Sequence, residues 1–177
     1  TATFVTWRTA DSLPQEKCDQ LATEREEFNA QHPQPWDEET SRQYHQLFSD
    51  RVDQWLDAGA GKGLLKDPEL GNIVTDALKH FDGERYQLYQ AVVMPNHVHV
   101  LFAPKEGHTT QSILHTWKSF TAKEINKATG HDGSFWMKDY YDRLIRSEKH
   151  FQFTVDYIQD NPRKAGLGQG EFVLYSC

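Results

Sequence analysis

Two apolar stretches, residues 85–93 and 97–103, are separated only by Met94-Pro95-Asn96. Three residues can close an antiparallel hairpin, whereas parallel strands need a crossover on the order of a dozen residues. A sheet built on this pair is therefore antiparallel at its centre. The flanking segments extend it. Residues 3–9 are β-branched and aromatic and read as a strand. Asp67-Pro68 is a cap followed by a first-turn proline, and Leu70, Ile73, Val74, Ala77, Leu78 and Phe81 form the apolar stripe of the helix behind it. Thr109 or Thr110 caps a helix running to Thr129, with Ile113, Leu114, Trp117, Phe120, Thr121, Ile125 and Ala128 on its inner side. Residues 140–146 read as a strand. A last helix starts at Ser147-Glu148 and is expected to end near Asn161, because Pro162 disfavours a helical residue before it.

Strand, helix, strand, strand, helix, strand, helix is the order of an α+β, ferredoxin-like split βαβ sheet with one added C-terminal helix. Residues 13–65 fall outside it. A polar helix opens at Leu13-Pro14 and runs to about Asn29, and His32-Pro33-Gln34-Pro35 breaks it. A second helix, from Asp37 or Thr40 to Asp57, carries Tyr44, Leu47, Phe48, Val52, Trp55 and Leu56 as one stripe. Residues 1–177 are expected to form a single domain, with 13–65 a helical hairpin inserted after the first strand. Gly59-Ala60-Gly61-Lys62-Gly63 lacks the Gly-x-x-x-x-Gly-Lys-Ser/Thr spacing of a phosphate loop.

Charge divides the chain. Residues 11–90 carry a net −9 and residues 105–177 a net +1, within a total of −7. Overall acidity argues against broad duplex binding, which depends on neutralising many phosphates, but leaves room for a local basic surface in the second half. Two cysteines, Cys18 and Cys177, make no disulfide framework or zinc ribbon. No apolar run approaches the ~20 residues of a membrane helix, and no signal peptide opens at Thr1, so no membrane partner and a cytoplasmic location are expected.

The chemistry concentrates at His97-Val98-His99. On a strand, i and i+2 share a face, so both imidazoles stand on one side of the sheet with Val98 and Val100 on the other. Neutral imidazoles so placed bind a divalent metal; two partly buried histidines without a ligand are the alternative. A histidine-triad hydrolase would need a third His where Leu101 stands, a two-His phosphoesterase needs a second His-x-Thr/Ser besides His108-Thr109-Thr110, and no His-Glu-x-x-His is present. On the last helix Tyr157 and Asn161 are four apart and share a face with Thr154, while Phe151, Val155 and Ile158 make the apolar side. A tyrosine becomes a covalent nucleophile where a metal activates the bond it attacks, and the Asn161 oxygen is a candidate third ligand.

These residues carry a family resemblance. Met94-Pro95-Asn96-His97-Val98-His99-Val100-Leu101 resembles the His-hydrophobe-His strand of the HUH single-strand endonucleases. Residues 140–146, residues 157–167 and Trp117-Lys118-Ser119-Phe120-Thr121 resemble the REP-associated tyrosine transposases, single-tyrosine relatives of bacterial insertion-sequence transposases. The Trp7-Arg8 strand and Ser12-Leu13-Pro14-Gln15 are similar to one subgroup. Arg163 stands where a small apolar residue is common, Arg143 where a His is frequent, and the acidic insertion lies outside the minimal fold.

The resemblance implies an HUH-type fold and a transposase that cleaves and rejoins single-stranded DNA at hairpin-forming repetitive palindromes. His97, His99 and Asn161 would hold one Mg²⁺ or Mn²⁺, and Tyr157 would attack the scissile phosphate, giving a 5′-phosphotyrosine link and a free 3′-hydroxyl. On general grounds two imidazoles favour zinc, nickel or copper. The base for Tyr157 stays open between water, Lys164 and another side chain. Lys118, Lys123 and Lys127, with Arg143, Arg146, Lys149, Arg163 and Lys164, are the candidate phosphate contacts, and Trp117, Trp7 or Trp136 the base-stacking candidates. A monomer at the nucleoid is expected, with a dimer as the alternative. The competing functions are a catalytically idle module that binds hairpin DNA or RNA, and an unrelated metal-dependent hydrolase of small phosphates.

Overall fold

A computed structural model describes residues 1–177. β1 (Thr3–Thr9), β2 (Tyr86–Val93), β3 (His97–Pro104), β4 (Trp136–Leu144) and β5 (Val173–Ser176) form one antiparallel sheet in the order β4-β1-β3-β2-β5. Its first four strands have the ferredoxin-like order, and the β2–β3 hairpin lies at its centre as the short turn requires. β4 begins four residues earlier than the sequence suggests. Phe135 and Trp136 are buried there, and Thr9 pairs with Trp136 across a register shift. β5 is not expected from sequence at all. Four residues carry too little pattern, and pairing with the β2 edge creates the strand.

The two faces of the sheet have separate coats. Val5, Trp7, Val98, Val100 and Phe102 face α4 (Pro68–His80) and α5 (Thr110–Thr129). Both helices start as their sequences dictate. Asp67 accepts from Glu69 N–H ahead of Pro68, and Thr109 and Ser112 form a reciprocal capping box. Phe4, Val92, Met94 and Leu101 face α6 (Glu148–Lys164), whose Phe151, Val155 and Ile158 pack on them. Because side chains alternate along β3, His97 and His99 belong to the α6 face. Phe120 and Ala128, expected inside, are exposed instead. Phe120 is 53% exposed at the rim of the α4–α5 seam beside Ala77, His80 and Phe81.

α6 does not stop at Asn161. Pro162 is buried inside the helix and forfeits only one bond, the one its missing N–H would give Ile158. The end comes at Gly166, whose φ of +70° forms a Schellman turn in which Leu167 N–H donates to Pro162 O and Gly166 N–H to Arg163 O. The chain then returns to place β5.

Residues 13–65 hold α1 (Gln15–Gln31), α2 (Glu38–Tyr44), a π-helical turn at His45–Ser49, and α3 (Asp50–Asp57) running on from it. Leu13, Leu21, Phe28, Phe48 and Leu56 make their own apolar cluster, with Trp36, Tyr44, Val52 and Trp55 around it. The π turn adds one residue to the helical repeat. It breaks the expected stripe and leaves Leu47 51% exposed.

Trp117 is a core residue, not a base-stacking surface. It is 2% exposed, stacks near Trp7, and donates from Nε1 to the Tyr86 hydroxyl at 2.9 Å. Trp7 and Trp136 are buried as well. Trp117→Ala is expected to cost about 3–5 kcal/mol of folding stability, measured by urea denaturation. Unchanged stability would contradict this packing.

Candidate functional site

The site is assembled on the α6 face of the sheet. His97 and His99 are both buried, and their Nε2 atoms approach to 3.1 Å. Each ring is held from behind. Asn96 Oδ1 lies 2.7 Å from His97 Nδ1, and Thr6 Oγ1 lies 2.7 Å from His99 Nδ1. The Asn96 amide cannot turn round, because its Nδ2 donates to the carbonyls of Leu56 (3.0 Å) and Ala60 (3.2 Å). Its oxygen must accept, so His97 carries its proton on Nδ1 and offers a lone pair at Nε2. The Thr6 hydroxyl both donates and accepts, so His99 is free to present a lone pair or a proton.

Burial holds both rings neutral. It pushes His97 down to about 3, opposed in part by the neighbouring Asn161 amide. It pushes His99 well below the usual histidine range, with His97 adding to the effect. Neutral imidazole is the metal-binding form.

α6 brings Asn161 and Tyr157 to the same place. Asn161 is buried, and its Oδ1 has no hydrogen-bond partner. An orphaned buried carbonyl oxygen is costly unless a cation or donor meets it. When His99 carries its proton on Nδ1, toward Thr6, a second lone pair faces that of His97 at 3.1 Å, and metal bonds of about 2.1 Å meeting near a right angle put two donor nitrogens about 3 Å apart. His97, His99 and Asn161 therefore fit a divalent cation.

The Tyr157 ring stands edge-on to His99, centroids 5.5 Å apart, and edge-on to Phe4 at 5.9 Å. Its hydroxyl donates to Asp53 Oδ2 of α3 at 2.5 Å. Burial, followed by the charge and hydrogen bond of Asp53, raises the Tyr157 phenol above its ordinary range. It is a phenol, not a phenolate. Burial likewise raises Asp53, to about 7, against the Tyr157 hydrogen bond and with help from Asp57 and Asp50. One cleft runs beside these groups, lined by His45, Tyr141, Arg143, His150, Phe153 and Tyr157. The Tyr141 hydroxyl and His45 Nδ1 share a hydrogen bond of 2.9 Å, and burial lowers His45 to about 4.

The candidate basic residues divide into two groups. Arg143, Arg146 and Lys149 are exposed at the β4–α6 junction, and Arg143 reaches the cleft. Arg163 makes a two-pronged pair with Asp160 (2.6 and 2.9 Å), and Lys164 lies over the Tyr157 ring. Lys118, Lys123 and Lys127 ride on α5, on the opposite face of the sheet. Lys118 donates to the carbonyls of Met137 and Lys138, which ties α5 to β4. Sequence reasoning missed Thr6, Asn96 as a lock, and Asp53. Only Asn96, adjacent to His97, carried a local signal.

Asn161→Leu removes the orphaned oxygen at similar volume. Without metal the variant is expected to be as stable as the parent or more so. It is expected to bind Mn²⁺ about tenfold or more weakly by calorimetry. Equal Mn²⁺ affinity would remove Asn161 from the ligand set.

A family model described as transposase IS200 like matches residues 66–161, a span that contains His97, His99, Tyr157 and Asn161. A solved REP-associated tyrosine transposase bound to a REP hairpin covers 95% of this chain and 70% of its own, at 18% identity and a TM-score of 0.50, a likeness of fold alone. A putative transposase from Deinococcus radiodurans covers 91% of this chain and 90% of its own, at 16% identity and a TM-score of 0.39. An uncharacterized protein of Haemophilus influenzae is 26% identical over 118 residues, 53% of this chain and 65% of that protein, so the chain spans less than two thirds of this relative. With more than half its length under the family model, the chain belongs to the IS200-like transposase family.

Proposed function

We propose that this protein is a single-strand DNA transposase that nicks and rejoins DNA through a 5′-phosphotyrosine link to Tyr157. The observation that carries the reading is the meeting, on one sheet face, of Tyr157, the paired Nε2 atoms of His97 and His99, and the unpartnered oxygen of Asn161. Tyr157 reaches the histidine pair of its own chain, which supports action in cis.

A divalent cation, Mg²⁺ or Mn²⁺ by family likeness, held by His97, His99 and Asn161 would supply Lewis-acid polarisation of the scissile phosphate. The rest falls to the chain. Asn96 and Thr6 fix the two imidazoles, so the donors need no reorganisation when substrate arrives. Tyr157 supplies the nucleophilic oxygen. Transfer to a phenol conserves the phosphodiester's energy, so an incoming 3′-hydroxyl can reverse the step without a nucleotide cofactor. Arg143, with Arg146 and Lys149 beyond it, offers charge to the strand. Phe153, 65% exposed one turn before Tyr157, offers a stacking surface. The REP hairpin on the solved relative makes hairpin-forming DNA the substrate class we favour. Lys123 and Lys127, on the far side of the sheet, would serve only a strand that wraps around it.

The test is incubation with Mn²⁺ and a labelled pool of DNA hairpins with randomised stems and flanks, followed by denaturing electrophoresis. A protein–DNA adduct is expected from the parent chain, none from Tyr157→Phe, and a loss of at least ~100-fold for His97→Ala or His99→Ala. Hairpin binding without any adduct would favour an idle recognition module.

A further inference from the structure

The hydroxyl of Tyr157 is bonded to Asp53, which comes from the inserted helix and not from the sheet or the tyrosine's own helix. We propose that Asp53 is the general base for Tyr157 in strand cleavage and the general acid in strand joining. The inference rests on the reading of Tyr157 as nucleophile.

Asp53 is clamped from both sides. Before it, the π turn presents His45 to Tyr141 of β4. After it, the carbonyls of Leu56 and Ala60 are gripped by Asn96, the residue that also locks His97. The carboxylate is thus referenced to the same turn as the histidine pair, the kind of support a catalytic group needs. The other nearby groups are occupied. His97 and His99 have both ring nitrogens engaged. Lys164 sits over the face of the Tyr157 ring and pairs with Asp160.

In cleavage, the Tyr157 O–H bond breaks and the proton passes to Asp53 Oδ2. The phenolic oxygen bonds to phosphorus as the P–O3′ bond breaks. The 3′ oxygen leaves with the electron pair and takes a proton from solvent water. In joining, an incoming 3′-hydroxyl loses its proton to solvent and attacks phosphorus, and the departing phenolic oxygen recovers its proton from Asp53. Burial with Asp50 and Asp57 on its own helix raises the proton affinity of Asp53, which suits it to accept near neutrality. Facing it are Tyr157 and His150 from α6, Tyr141 and Arg143 from β4, and His45 from the π turn, with Arg8 of β1, Arg25 of α1 and Asp139 and Tyr140 of β4 on the far side.

Adduct formation is followed in single turnover with the hairpin pool and Mn²⁺. Asp53→Asn keeps the shape but cannot take the proton, and is expected to slow the step about 10²–10⁴-fold with hairpin affinity unchanged. Asp53→Glu is expected to recover part of the rate. In the parent chain the rate should climb with pH until Asp53 is ionised, near 7, then level off. In Asp53→Asn it should go on rising as hydroxide substitutes. An Asp53→Asn rate equal to or above the parent's would overturn the inference and make Asp53 a restraint on the tyrosine. A parent profile flat from pH 5 to 9 would overturn it too, without any variant. No Tyr157-dependent adduct from the parent chain would instead remove the enzyme reading, and this inference with it.

Discussion

One amide holds the site in register. Asn96 gives both its protons to the end of α3 and the turn after it, at Leu56 and Ala60, and its oxygen to His97. A buried amide with every partner supplied is rigid, because any rotation strands a polar group away from water. The tautomer of His97, the direction of its lone pair and the seating of α3 against the sheet all follow from this contact. The β2–β3 turn is thus the point from which the two halves of the site are measured.

The central hairpin, the order of the sheet and the helix starts were legible because each has a local cause. Met94-Pro95-Asn96 is too short for anything but a tight reversal, and Asp67-Pro68 and Thr109 cap their helices through bonds made within a few residues. The pairing of His97 with His99 follows from strand alternation alone. What was hidden depends on tertiary context. β5 exists because β2 has an edge to offer. Pro162 stays helical because the turn at Gly166 and burial outweigh one lost bond. Trp117 lies on the inner stripe of α5 in the sequence, and its packing against Trp7 and Tyr86 removes it from the base-stacking candidates. Asp53 meets Tyr157 across 104 positions, a distance no motif spans.

The acidity of the first half acquires a location. Asp50, Asp53 and Asp57 lie on successive turns of α3, and all three raise the proton affinity of the Tyr157 phenol. Arg143 of β4 and His150 of α6 line the same cleft. The wall against the tyrosine is thus acidic on the α3 side, with the Arg143 guanidinium opposite it, while burial and the neighbouring arginines lower the proton affinity of His150.

The short strand after Gly166 has an effect beyond its four residues. It takes the β2 edge with only four residues, while at the other end of the sheet the nine-residue β4 has one margin of amide and carbonyl groups unclaimed by a neighbouring strand. Such a margin invites stray chains to zip on, and natural proteins guard it with charge. β4 carries Lys138, Asp139, Asp142 and Arg143 along its nine residues. The strand that lends Arg143 to the cleft is also fenced against templating aggregates.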